Sequence, residues 1–307
     1  MNVFVTGATG FVGAAIVEEL LGNGHRVVGL VRNLDKAAAL IQRGMVPQVG
    51  EMLQPATYLG IVPTVDAVIQ AAQLSVSGRF TSRSKEQINR ADETMTLALA
   101  EACLQYSKRL LYTSGCFNYG DHGAAWIDER TPATPSPLGE GHARVVDRLL
   151  ALHRTRGLDA VVLSPGFVYG AGGLFKTSFY DTLRKGQLRV FGRGENYWSP
   201  VQVDDLAHAF ALALERGRAG QVYNIVDDAP VPLRTLVNSL TEAQGVKSVG
   251  SIPPWLIGLL LGPPLVNSLT SSFRVRNEKA KQALGWQPQH PTFAEGIGPV
   301  LRELNAA

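Results

Sequence analysis

The first thirty-three residues, MNVFVTGATGFVGAAIVEELLGNGHRVVGLVRN (1–33), decide the fold. Asn2 to Thr6 is a short apolar run, suited to a buried strand. Gly7, Gly10 and Gly13 then follow in a G-x-x-G-x-x-G spacing. From Phe11 to Leu21 the apolar residues recur on a helical period, which Gly22–Asn23–Gly24 ends. Arg26 to Val31 reads as a second strand. Strand, glycine turn, helix and strand within about 30 residues is the setting a dinucleotide fingerprint requires. Gly7 permits the tight turn, Gly10 lets the backbone approach a pyrophosphate, and Gly13 lets helix and strand pack closely. The helix N-terminus offers free N–H groups and a positive dipole end to the phosphates.

The end of the second strand indicates which dinucleotide. A carboxylate there would accept hydrogen bonds from the adenosine ribose and favour NAD. This chain has Val31, Arg32 and Asn33, with Lys36 one turn on. A guanidinium grips a 2′-phosphate bidentately, so NADP(H) is expected over NAD(H). The alternative is a solvated arginine at a strand end.

The chain has 307 residues, enough for one large or two modest domains. A net charge of +3 with scattered basic residues gives no reason to expect nucleic acid or an anionic membrane as partner. Two cysteines, Cys103 and Cys116, make no disulfide framework and fit a reducing compartment. The first core strand begins at Asn2, which leaves no room for a signal peptide, so a cytoplasmic location is expected. The most apolar tract, Ile252 to Val266, is broken by Pro253–Pro254 and Pro263–Pro264. Its uninterrupted part, Trp255 to Gly262, falls far short of the ~20 residues of a membrane span. The six histidines are dispersed, none in a metal-ligating spacing, so no metal is expected.

Further along, helices are expected over 34–43, 84–105 and 139–156, and strands over 46–49, 65–69, 108–112 and 160–163. Strands alternating with helices mean an α/β, doubly wound parallel sheet of Rossmann type. Ligands of such sheets sit beyond the carboxyl ends of the strands. That directs attention to 7–13, 32–36, 50–53, 70–75, 113–119 and 164–170. In the second half, helices are expected over 174–185, 232–244, 254–261 and 277–284, and a strand over 222–226. Val201 to Leu206 opens another helix, with Asp204 or Asp205 as its N-cap. The expected organisation is a dinucleotide-binding domain over 1–170, with 201–230 returning to it, and a smaller C-terminal substrate-binding domain over 171–200 and 231–307. The 252–266 tract is expected to form either one wall of the substrate cleft or plain core.

These pieces together resemble the extended short-chain dehydrogenase/reductases, also called the NAD-dependent epimerase/dehydratase family. The matching motifs are TGATGFVG (6–13), NRADET (89–94), YTSG…YG (112–120), LSPGFVYG (163–170), WSPVQVDDLAHAF (198–210), VYNIVDD (222–228) and NEKAKQALGWQP (277–288). They run in family order over nearly the whole chain and are specific for fold more than for reaction. The resemblance implies a bound nicotinamide cofactor. Thr6 to Val12, including Thr9, match the phosphate loop, and Arg32, near Asn33 and Lys36, matches a 2′-phosphate ligand. Glu51 stands roughly where the family has an adenine-binding aspartate. Ala71, Ala72 and Asn89 fall in the cofactor-binding set, and Ser164, Pro165, Gly166, Phe167 and Val168 would lie beside the nicotinamide.

The family's chemistry rests on Tyr-x-x-x-Lys, whose ammonium lowers the phenol's pKa for proton exchange with a substrate hydroxyl. Four positions after this chain's eight tyrosines stand Val62, Leu110, Cys116, Gly123, Gly173, Arg184, Val201 and Asp227, and none is Lys. In SPLGEGHARVVDR (136–148), Leu138 takes the Tyr position and His142 the Lys position. An atypical active site is therefore expected. His142 is the first replacement for the proton relay, being on the right helix with a side chain suited to neutral pH, set against a surface or packing histidine. Glu140 is second, set against a helix-start carboxylate favoured by the dipole. Thr113 and Ser114 match the hydroxyl that binds the substrate oxygen. Cys116, Tyr119 and Tyr169 are weaker candidates, with packing as the alternative.

The expected function is an NADP(H)-dependent reductase or oxidoreductase acting on a small, fairly apolar carbonyl or hydroxyl compound. A redox-neutral isomerase, epimerase, cyclase, dehydratase or decarboxylase is the first alternative, and a non-catalytic NADP(H) sensor the second. A homodimer through the two long helices, 84–105 and 139–156, follows the family tendency.

Overall fold

A computed structural model describes residues 1–74 and 81–306. Ser75, the last position of the expected 70–75 segment, and Ala307, the last of the expected substrate domain, lie outside the described residues. The central sheet has strands β1 (Asn2–Thr6), β2 (Arg26–Val31), β3 (Val46–Val49), β4 (Ala67–Gln70), β5 (Arg109–Thr113), β6 (Ala160–Pro165) and β7 (Gln221–Ile225). Their spatial order is β3-β2-β1-β4-β5-β6-β7, and every pairing is parallel. The order reverses beside β1, which opens a crevice beyond the carboxyl ends of β1 and β4. Register fixes what stands at that edge: Thr6 lies opposite Gln70, and Gln70 opposite Tyr112.

Helices cover both faces, so β4 and β6 are buried along their whole length. In chain order they are α1 (Phe11–Gly22), α2 (Ala38–Gln42), α3 (Ser82–Tyr106), α4 (Glu140–Arg156), α5 (Asp181–Arg184), α6 (Val203–Arg216), α7 (Leu233–Ala243), α8 (Pro254–Leu261), α9 (Pro263–Thr270), α10 (Glu278–Leu284) and α11 (Phe293–Ala306). On one face α1 and α6 join Val3, Val5, Ile16, Leu20, Phe210 and Trp286 in a core. On the other, α3 and α4 pack Met95, Leu99, Val145 and Leu149 against Phe4, Val68 and Leu110. A third cluster unites Phe175, Phe179, Trp198, Leu236, Leu240, Ile297 and Leu301 from the second half of the chain.

The structure corrects several expected details. The side chain that caps α6 is Gln202, whose Oε1 accepts from the Asp204 N–H and, at 3.1 Å, from the Asp205 N–H. Asp205 is instead buried and accepts from the backbone N–H groups of Gln289 (2.7 Å) and His290 (3.0 Å), tying down the segment before α11. The expected helix over 34–43 begins as a 3-10 turn at Asp35–Ala37, and that over 174–185 as a π-helical stretch at Phe175–Tyr180. Pro263–Pro264 starts α9 rather than merely breaking a run, because proline fits a helix's first turn. The 252–266 tract lines neither cavity described below among its described residues, and Trp255 and Leu259 stand 70% and 64% exposed. Among the described residues no helix is long and apolar enough to cross a membrane.

Candidate active site

The glycine loop lies on the residues that follow β4. Gly7 has φ +67°, a left-handed conformation, and a Cβ there would sit 2.7 Å from the Ala71 carbonyl oxygen and 2.8 Å from the Ala72 Cα. A Cβ on Gly13 would strike the Gly7 carbonyl oxygen. Between them the Gly10 N–H closes the turn on the Gly7 carbonyl at 2.8 Å. No side chain caps the start of α1, so the N–H groups of its first turn are left without a capping acceptor. That cradle fits a dinucleotide pyrophosphate.

The side chains around it divide into two sets. Thr6 is buried and structural: its hydroxyl donates to Gln70 Oε1 at 3.0 Å and accepts from the N–H groups of Ala71 (3.2 Å) and Ala72 (3.3 Å). The Phe11 ring packs against Gly170, Gly172 and Gly173, where any Cβ would collide with it. Val12 packs on the core beneath α1. Thr9 and Gly10 are exposed. Arg32, Asn33 and Lys36 are exposed beyond β2. Asn33 Oδ1 accepts from the Asp35 N–H at 2.7 Å. Among the described residues the Arg32 and Lys36 side chains have no partner, so Arg32 presents a free guanidinium. Glu51 is exposed past β3, its N–H held by Thr57 Oγ1 at 3.0 Å.

Beyond Ala72 the chain reaches a small cleft lined by Gln73, Lys85, Ile88, Asn89, Asp92, Pro137, Leu138 and His142. His142 is brought there by α4, and Asn89 and Asp92 by α3. The helices approach closely at this point, for a Cβ on Gly141 would collide with the Asn89 side chain. His142 Nδ1 lies 2.7 Å from the Tyr112 hydroxyl and 3.2 Å from Asp92 Oδ2. The Tyr112 hydroxyl donates to Asp92 Oδ2 at 2.5 Å. Asp92 Oδ1 accepts from Gln70 Nε2 (3.0 Å) and Thr96 Oγ1 (3.2 Å). Burial, and then the Asp92 charge, hold the Tyr112 phenol well above its ordinary pKa, so it remains a donor. His142 Nε2 faces Gln73 Nε2 at 3.4 Å.

The other expected residues stand apart from this cleft or are already engaged. Glu140 starts α4 and accepts from Lys85 Nζ at 2.6 Å, a pair beside the cleft. Ser114 is buried and bonded to Asn118 at 2.8 Å; with Oδ1 toward Ser114, the Asn118 amide also reaches the Gly139 (3.0 Å) and Gly115 (3.2 Å) carbonyls. Thr113 Oγ1 is buried with no partner among the described residues. Cys116, Gly166 and Phe167 line a second, small apolar cavity with Phe117, Trp198, Ser199 and Phe273. Pro165 and Val168 are strand residues flanking it, in register with Ile225 and Val201. Burial pushes the Cys116 thiol and the Tyr119 and Tyr169 phenols well up, which removes a ready thiolate or acidic phenol. Among the described residues no His, Cys, Asp and Glu cluster suits a metal.

The sequence model of the NAD dependent epimerase/dehydratase family matches residues 3–226. The chain belongs to that family of oxidoreductases, epimerases and dehydratases, the extended short-chain dehydrogenase/reductases. Among curated relatives it is 30% identical to the 4-hydroxy-2-methyl-3-oxo-4-farnesyl-3,4-dihydroquinoline-1-oxide ketoreductase of Stigmatella aurantiaca, over 82% of this chain and 76% of that one. It is 28% identical to the 3-diazoavenalumate denitrifying reductase of a Streptomyces species, over 97% and 99%. The fold matches that of the human epimerase family protein SDR39U1, solved with NADPH, at a TM-score of 0.83 and 21% identity over 99% and 100% of the two chains.

Gln70 and Gln73 fall within the expected 70–75 segment, whereas Tyr112 and Asp92 were not singled out as site residues. Tyr112 read as the last residue of a strand, and Asp92 as part of the NRADET motif on a helix. The signal available in sequence was the placement of Tyr112 at a strand end, and a carboxylate on the apolar side of α3.

Proposed function

We propose that this protein is an NADP(H)-dependent reductase of the extended short-chain type, acting on a carbonyl of a small, fairly apolar compound. One observation carries the reading: the His142 cleft opens at Gln73, directly after the Ala71–Ala72 backbone on which the glycine cradle rests. When bound, a reduced nicotinamide supplies hydride. His142 Nε2 exchanges the proton that the substrate oxygen requires, in place of the family's Tyr-x-x-x-Lys. Gln73 orients the oxygen beside it. The free Arg32 guanidinium favours a 2′-phosphate. Relatives named as a ketoreductase and a reductase support reduction, and the farnesyl group in one of those names agrees with an apolar substrate.

The test is NADPH consumption, followed by its absorbance, with a panel of aryl and alkyl ketones and 3-oxo esters. Stoichiometric oxidation with at least one of them is expected. Substrate conversion without net NADPH loss would overturn the reductase reading in favour of redox-neutral chemistry.

A further inference from the structure

A hydrogen-bond chain runs behind His142 from the end of β4 through Asp92 and Tyr112 to the imidazole. The Ala72 N–H donates to Gln70 Oε1 at 2.6 Å, and Thr6 donates to the same oxygen at 3.0 Å. Gln70 Oε1 is thereby fixed as the acceptor, and its Nε2 must point to Asp92 and Thr96, each 3.0 Å away. Asp92 then meets only donors: Gln70 at Oδ1, Thr96 at Oδ1 and Tyr112 at Oδ2. Asp92 thus accepts at both oxygens and ends the chain. The Tyr112 hydroxyl has one hydrogen, spent on Asp92. Its oxygen must therefore accept from His142, and so must Asp92 Oδ2 at 3.2 Å. Nδ1 carries the proton, and Nε2 of the neutral ring is bare, facing the Gln73 amide nitrogen.

We propose that Tyr112 and Asp92 are positioning residues that lock His142 in the Nδ1–H tautomer, so that Nε2 alone takes up and delivers the catalytic proton. Its purpose rests on the reductase reading above; its test does not. In that reaction the carbonyl carbon takes a hydride from the reduced nicotinamide, and its oxygen takes the proton from His142 Nε2. Solvent returns a proton to Nε2, while Nδ1–H never leaves Tyr112. The Asp92 carboxylate, 3.2 Å from Nδ1 and joined to it through Tyr112 as well, stabilises the imidazolium between turnovers. Lys85 and Glu140, also beside the cleft, neutralise each other at 2.6 Å.

The experiment is nitrogen-15 NMR of histidine-labelled full-length protein, with the His142 signals assigned by their loss in His142→Gln. With the ring neutral, the wild type is expected to show protonated Nδ1 and bare Nε2, in an excess of about tenfold, which one net hydrogen bond of ordinary strength sustains. Asp92→Ala removes the acceptor of the Tyr112 hydroxyl, whose hydrogen then turns to Nδ1. The tautomer is expected to invert, and a merely structural role for Asp92 would not produce that inversion. A wild-type Nε2–H tautomer, or an unchanged tautomer in folded Asp92→Ala, overturns the proposal. Should Asp92→Ala not fold, the wild-type spectrum decides alone. The same wild-type sample titrated with NADPH separates the two claims. An Nδ1–H ring without NADPH binding defeats the reductase reading only, and an Nε2–H ring with NADPH bound defeats the lock only.

Discussion

Asp227 provides a pH dependence that can be worked out from its surroundings. It follows β7, is 1% exposed, and has one oxygen, Oδ2, with no partner among the described residues. Burial chiefly, with the nearby Asp228 and Asp205 charges, pushes its carboxyl from 3.8 up to about 8, against the lowering effect of the Ala229 and Phe293 N–H groups. Below about pH 4 both folded and unfolded chains hold this proton, and the group does not discriminate. Between about pH 4 and pH 8 the unfolded chain has released it while the folded one retains it. The folded state then binds more protons, so stability falls as pH rises, by about 1.4 kcal/mol per unit. From pH 5 to pH 7 this amounts to about 3 kcal/mol from one side chain. Asp227→Asn keeps the shape and cannot ionise. Urea unfolding of both proteins across that range, taken as a difference, cancels the other titrating groups. The variant is expected to gain on the wild type steadily as pH rises. A difference that stays flat from pH 5 to pH 7 would mean that Asp227 is ionised in the folded protein, and would refute the reasoning.

Two substitutions probe the site itself. Gly7→Ala forces a left-handed φ on a residue whose Cβ meets the Ala71 carbonyl, and is expected to cost about 1–3 kcal/mol of stability and to weaken NADPH binding, measured by urea unfolding and calorimetry. His142→Ala is expected to lower kcat by about 10²–10⁴-fold with a ketone the wild type accepts, while nucleotide affinity stays unchanged; an unchanged kcat would remove His142 from the chemistry.

The Rossmann half was legible because its signals are local. Glycine spacing, apolar strand runs and helical periods need no tertiary information, and the strands fell close to where they were expected. The ends moved where pairing extends them: β6 runs on through Pro165 because that residue lies in register with Ile225. The helix α11 was missed because Gly296, Gly298 and Pro299 interrupt its helical signal. Asp204 and Asp205 carry the ordinary capping chemistry, but Asp205 is drawn off by the Gln289 and His290 N–H groups, and Gln202 caps instead. In the site, His142 could be found by its place in a motif. Tyr112 and Asp92 also lie in matched motifs, but their pairing with His142 exists only where β5, α3 and α4 meet. The free state of Arg32 and the engagement of Glu140 by Lys85 are likewise facts of the folded chain.

The central claim is that the glycine cradle holds a phosphorylated nicotinamide dinucleotide. Calorimetric titration of the purified protein with NADPH and NADH, repeated with Arg32→Ala, tests it most directly. NADPH is expected to bind tighter than NADH by about tenfold or more, as charge-assisted hydrogen bonds to a 2′-phosphate provide, with the advantage lost in Arg32→Ala. Binding of neither nucleotide would contradict the cradle's assignment, and equal affinities unaffected by Arg32→Ala would contradict the role given to Arg32.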